Sequence, residues 1–224
     1  MVLTLAMAGF LAAAPSALEL ARDQQDRAAL EKMAADASEA ASKGPNDAAA
    51  QYRAALAQSY LAEVALEKGD KKLAQQAADR GVQEAERAIS LRPDLAENYR
   101  ILGTLCGQVI PANVLAALSY GKRAKDAIEK AIEKDPRLSA AYVARGVGNY
   151  YLPAALGGDM DSAIADFRKA IELDPKNSEA YLWLGLALRK QNKNAEARQA
   201  FAKSLELDPN RVWAKQQLDK TPAR

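Results

Sequence analysis

Three stretches of this chain end in nearly the same eight residues: Glu129-Lys-Ala-Ile-Glu-Lys-Asp-Pro136, Arg168-Lys-Ala-Ile-Glu-Leu-Asp-Pro175 and Ala202-Lys-Ser-Leu-Glu-Leu-Asp-Pro209. Glu86-Arg-Ala-Ile-Ser-Leu-Arg-Pro93 is a fainter copy. A chain that writes one helix ending several times is restricted to stacking a small unit on itself, because each unit hides its apolar face only against its neighbours. Proline has no N–H to donate and its ring collides with the preceding turn, so Pro45, Pro93, Pro136, Pro175 and Pro209 each close a helix. Their spacing contracts from 48 to 43, 39 and 34 residues, which reads as one repeat carrying insertions in its earlier copies.

Composition agrees with helices throughout. Fifty alanines stand against eighteen Val, Ile and Thr, and branched side chains lose rotamer freedom in a helix where Ala loses none. The expected fold class is all-α. The 31 Lys and Arg nearly balance 29 Asp and Glu, so no strong field is available to recruit nucleic acid, and no nucleic-acid partner is expected. With no histidine and a single cysteine, Cys106, the His-based nucleophile systems, the usual zinc sites and an internal disulfide are excluded. No catalytic, cofactor or metal site is expected. Cys106 falls where a small side chain faces a helix neighbour, which points to a buried, inert thiol.

The last interval shows the unit most clearly. From Ser178 the 34 residues place Tyr181, Leu184, Gly185, Leu188, Ala197, Phe201, Ser204 and Pro209 at positions 4, 7, 8, 11, 20, 24, 27 and 32. This resembles the tetratricopeptide repeat family. Gly185 and Ala197 let two antiparallel helices approach, and Tyr181, Leu184, Leu188 and Phe201 fill the wedge between them. A copy opens at Ser139, with Tyr142, Gly146, Tyr150, Ala163, Phe167, Ala170 and Pro175 in matching places, and five extra residues around Pro153 to Gly158. Another opens at Ala96, with nine extra residues between Val109 and Tyr120, interrupted at Pro111. Asp47–Lys68 and Asp70–Leu91 read as a longer, degenerate hairpin joined at Gly69 and Asp70. Residues 18–43 read as one further amphipathic helix, and 211–218 as a capping helix. The expected organisation is an apolar segment 1–17, an N-terminal helix and degenerate hairpin 18–92, repeats over 93–211, and a capping helix and tail 212–224. The resemblance implies an α-solenoid of tetratricopeptide-type hairpins with an extra N-terminal helix, acting as a non-enzymatic scaffold that binds protein.

In that family the inner curve is lined from the first helix of each repeat. Carried over, it holds Arg100 and Thr104, then Val143, Val147 and Tyr151, then Leu182, Leu186 and Arg189. Members that clamp a peptide carboxylate use Lys and Asn where this chain has Arg100/Thr104, Val143/Val147 and Leu182/Leu186, so the resemblance implies an apolar trough suited to an apolar or amphipathic helix. An insertion like Pro153 to Asp159 also resembles one in exported bacterial members, which keeps open a ligand-binding accessory subunit of an envelope transport system.

Residues 1–17 carry no charged side chain. They resemble the apolar region of a secretory signal with small residues near Ala17, although no Lys or Arg precedes them. The expectation is an exported protein, periplasmic or extracellular. An ordered apolar helix and a membrane anchor are the other readings, and a membrane partner follows only from the anchor. If the segment is retained, Val2, Leu3, Leu5, Phe10 and Leu11 need burial, and head-to-tail assembly of copies follows, with this helix in the next chain's trough or against its Trp213.

Overall fold

The computed structural model describes residues 15–112, 117–153 and 158–223. Among these it contains eleven α-helices and no strand: α1 Ala17–Asp23, α2 Arg27–Lys43, α3 Ala48–Glu67, α4 Lys71–Leu91, α5 Ala96–Val109, α6 Ala117–Lys134, α7 Ser139–Tyr151, α8 Met160–Leu173, α9 Ser178–Lys190, α10 Asn194–Leu207 and α11 Val212–Asp219. Consecutive helices pair as hairpins, and α3, α5, α7 and α9 also meet in succession, so odd-numbered helices form an inner layer and even-numbered ones an outer layer. The fold is an α-solenoid.

The repeated ending has a structural cause. After α6, α8 and α10 the carboxylates of Asp135, Asp174 and Asp208 accept the N–H groups of Arg137, Lys176 and Asn210 at 2.9–3.0 Å, bridging over the proline that follows each Asp. An Asx turn of this kind satisfies a donor that the stopped helix cannot. The fainter copy has Arg92 in place of Asp. There Asn98 takes up the local hydrogen bonding, donating to the Arg92 carbonyl at 2.9 Å.

Residues 18–43 are not one helix. The chain breaks at Gln24–Asp26, where Gln25 has φ 53°, as Gly69 (φ 80°) breaks α3 from α4 and Asn192 (φ 62°) breaks α9 from α10. At all three the N–H one residue beyond the left-handed position returns to a carbonyl five residues back: Asp26 to Ala21 at 2.8 Å, Asp70 to Ala65 at 2.8 Å, Lys193 to Leu188 at 3.0 Å. This is the Schellman closure. Only one of the three uses glycine, which is why the first turn cannot be read from composition. The segment is therefore a further hairpin with a short first helix, whose Ser16 N-cap and Glu19 form a capping box (Glu19 N–H to Ser16 Oγ 3.2 Å, Ser16 N–H to Glu19 Oε2 2.8 Å).

Two large buried cores result, beside a small cluster of Ala41, Ala50 and Ala54 between α2 and α3. The N-terminal core gathers Leu30, Leu61, Val64, Val82, Ile101, Leu105, Cys106 and Val109, with many alanines between closely approaching helices. The C-terminal core gathers Phe167, Leu182, Leu186, Leu188 and Phe201. Gly185 is obligatory there, since a Cβ on it would stand 2.6 Å from the Phe201 ring; Gly146 faces Phe167 in the same way at 2.5 Å. Pro111 interrupts the third hairpin as expected, through a 3₁₀ turn at Ile110–Ala112.

Candidate functional site

Four hairpins separate α1 from α11, yet the two ends of the superhelix meet. Arg211, the N-cap residue of α11, is fully buried. It donates to Glu63 Oε1 at 2.5 Å and Glu67 Oε1 at 2.6 Å, both on α3, and to Glu179 Oε1 at 2.7 Å on α9. Asp23 of α1 lies 4.0 Å away. Arg22 of α1 pairs with Asp23 at 2.6 Å and reaches Glu179 at 3.7 Å, its guanidinium lying 4.8 Å from the centre of the Tyr60 ring. Gln25 donates to Glu67 at 2.7 Å and accepts from Gln216 of α11 at 3.3 Å. The inner layer thus curls into a closed turn with an ionic centre.

That centre is unbalanced. Four carboxylates (Asp23, Glu63, Glu67, Glu179) surround two guanidiniums (Arg22, Arg211), a net charge of −2 when all are ionised. Charge buried in surplus is neutralised by holding protons. Burial pushes Glu63 up to about 7 and Asp23 up to about 6, against the pull of the two arginines, and Glu67 is raised as well. For Glu179 burial also pushes up, but Arg211 and Arg22 together outweigh it and hold its carboxyl below the ordinary value. The titration belongs to the cluster as a unit. No group of three or more His, Cys, Asp or Glu that could hold a metal ion occurs among the described residues.

Beside the ionic centre runs a file of aromatic rings. Trp183 lies edge-on to Tyr150 (5.8 Å between ring centres), Tyr151 (5.9 Å) and Trp213 (5.4 Å), and Arg211 lies 5.5 Å from the Trp213 ring centre. Tyr151 is 63% exposed and Leu152 42%.

The expected trough is only partly present. Leu182 and Leu186 are buried in the C-terminal core among residues of α8 to α11 and do not line an open groove. Arg189 is spent as a buckle to the cap, donating to the Gln217 carbonyl at 3.2 Å and side chain at 2.7 Å and to Thr221 at 3.3 Å. Arg100 is half-buried and pairs with Glu97 at 2.5 Å, and Thr104 donates to the Arg100 carbonyl at 3.1 Å. Val143 and Val147 are half-buried against the C-terminal core. Of the trough residues, Tyr151 alone is broadly exposed, with Trp213 half-buried at the same file. Cys106 is buried and its thiol is pushed up to about 11 by burial. Val2, Leu3, Leu5, Phe10 and Leu11 lie outside the described residues.

A register built on prolines does not reveal the ionic centre, because it fades before Ala96. Counted from the left-handed turn residue, Glu63 stands six places before Gly69 as Leu186 stands six before Asn192, and Asp23, Glu67 and Lys190 each stand two before their turns. Aligning the turns instead of the prolines places acidic residues on the inner face of the first two hairpins.

Stacked antiparallel hairpins, closed by one turn geometry and packed by glycine against an aromatic, define a helical-repeat solenoid of the kind that presents an inner face. Residues 157–212 match the tetratricopeptide repeat family. A stretch of 104 residues, 46% of this chain, is 35% identical to small glutamine-rich tetratricopeptide repeat-containing protein 2 of Mycosarcoma maydis, of whose length the chain spans 28%. Among solved structures, a thermophilic tetratricopeptide repeat protein of Thermus thermophilus has a similar fold, with a TM-score of 0.63 at 20% identity over 90% of this chain and 96% of that one. The HusA haemophore of Porphyromonas gingivalis is similar at a TM-score of 0.58 and 19% identity over 80% and 96%. At these identities the structural likeness is one of fold. Residues 157–212 thus carry the tetratricopeptide repeat, within a chain whose fold is that of a helical-repeat solenoid.

Proposed function

We propose that the chain is a non-enzymatic scaffold that binds another protein through the aromatic file on its inner face. The observation that carries this reading is the exposure of Tyr151 and Leu152 beside Trp183 and Trp213, whereas the other large apolar side chains among the described residues, Leu95 excepted, are buried or half-buried. Large rings held rigidly by one another are the side chains that dominate binding energy at interfaces. The occupant that fits is the apolar face of an amphipathic helix from a partner, which contributes aliphatic side chains to the rings and keeps its polar side in water. Entry of a second copy's apolar segment between Leu182 and Leu186 is not part of the reading, since both are covered.

A photocrosslinking residue at Tyr151, compared with one at exposed Lys125 on the outer layer, tests this in the cells of origin. A partner captured from Tyr151 alone, whose purified form binds the parent and at least about tenfold more weakly to Tyr151→Glu, supports the reading. Equal capture from both positions sinks it. Export belongs to the same proposal, supported by the uncharged stretch 1–17, and sequencing the N terminus of the cellular protein tests it. An N terminus still at Met1 in a cytosolic fraction removes export.

A further inference from the structure

We propose that the ionic centre is a pH-set clasp: with Glu63 and Asp23 protonated it holds the two ends of the superhelix together through Arg211, and with both ionised α9–α11 swing away from α1 and α3 and uncover the inner face. The clasp goes beyond the proposed function, since Tyr151 is exposed with the ends closed, and it stands on its own geometry.

The two buried cores supply the moving parts. The N-terminal core draws on α1 to α6 and the C-terminal core on α7 to α11, and no buried apolar residue belongs to both. They are joined in sequence at α6–α7, where α5 also packs on α7. They meet a second time where Arg211, Glu179 and Gln216 of the C-terminal body face Arg22, Asp23, Gln25, Glu63 and Glu67 of the N-terminal one. That second meeting is polar, so charge decides whether it holds.

The groups facing the centre come from every element around it. Arg22 and Asp23 enter from α1, Tyr60, Glu63 and Glu67 from α3, and Glu179 from α9. Arg211 enters at the start of α11, with Asp208 just before it repelling Asp23, Tyr151 of α7 within range of Glu67, and Arg100 of α5 and Glu19 of α1 within range of Tyr60 at its edge. With two of the four carboxylates protonated the centre is balanced, two anions to two cations. With all four ionised it carries the surplus of −2, which water screens once the ends part. Closure therefore takes up protons and opening releases them. Each pH unit across which one carboxyl stays protonated in the closed form changes the closing equilibrium by about tenfold.

The test is small-angle scattering and tryptophan emission of the full chain between about pH 5.5 and about pH 8 at fixed ionic strength. The clasp predicts a larger radius of gyration and a changed emission from Trp213, which loses Arg211 from its face, at the higher pH. Glu63→Gln combined with Asp23→Asn, neutral at every pH, should stay compact at about pH 8, and Arg211→Gln should be open at both pH values with its helical signal kept. Should the double variant lose helicity, each single variant must release about one proton fewer on opening. A parent of constant dimensions, or a double variant that responds as the parent does, overturns the clasp. Neither result bears on capture at Tyr151, and failure of that capture leaves the clasp untouched.

Discussion

Removing Arg211 strands Glu63, Glu67 and Glu179, all within 2.7 Å of it, in a place already short of positive charge. Breaking a buried pair from one side leaves uncompensated charge, so Arg211→Met should lower the stability of the chain by about 3–5 kcal/mol in denaturant melts. The same change at exposed Lys125 should stay within about 0.5 kcal/mol. The cluster also sets the direction of the pH response. Glu63 holds its proton to about 7 against an ordinary 4.5, and Asp23 to about 6 against 3.8, both raised chiefly by burial. A carboxyl raised on folding contributes stability that is complete below its ordinary value and is lost as pH climbs through the raised one. The denaturation midpoint should therefore fall between about pH 5 and about pH 7, and a midpoint that rises over that window contradicts the assignment. Glu179, held low, acts in the opposite sense and only in more acid solution.

Hairpins are held by close approach as much as by apolar area. Gly185→Leu drives a side chain into the Phe201 ring, where even a Cβ comes within 2.6 Å, and should cost about 1–3 kcal/mol or more with the helices themselves still formed. A thermal melt matching the parent's would remove the register that places every inner-face residue. The short α1 depends on its ends. Ser16 and Glu19 satisfy one another's backbone donors, so Ser16→Ala should weaken α1 by about 1 kcal/mol, read as faster amide exchange over residues 18–23. Processing next to Ala17 would remove the same cap.

At the scale of the molecule, a solenoid is ordinarily a sum of nearest-neighbour contacts, and losing one end does not disturb the other. Closure through Arg211 breaks that rule. Ending the chain after Asn210 should raise amide exchange in α3, whose Glu63 and Glu67 lie 148 and 144 residues from Arg211, by at least about tenfold. An open solenoid would show faster exchange in α9 and α10 only.

The amino-acid chain alone carries the repeat: Asp-Pro endings, the spacing of Gly185 and Phe201, and fifty alanines against eighteen Val, Ile and Thr are local signals, and a local signal survives without knowing where the chain goes next. It also determined which helices face inward over 96–211, because that face repeats with the unit. Tertiary structure alone decided what the inward face meets. The break at Gln25 rests on a backbone conformation that glutamine does not advertise, and the burial of Leu182 and Leu186 depends on the neighbouring helices that pack onto α9. The ionic centre draws on residues from 22 to 211, each ordinary where it stands in the chain. Curl is the sum of small rotations between hairpins, and no single repeat encodes the sum, so the meeting of the two ends is a property of the whole stack.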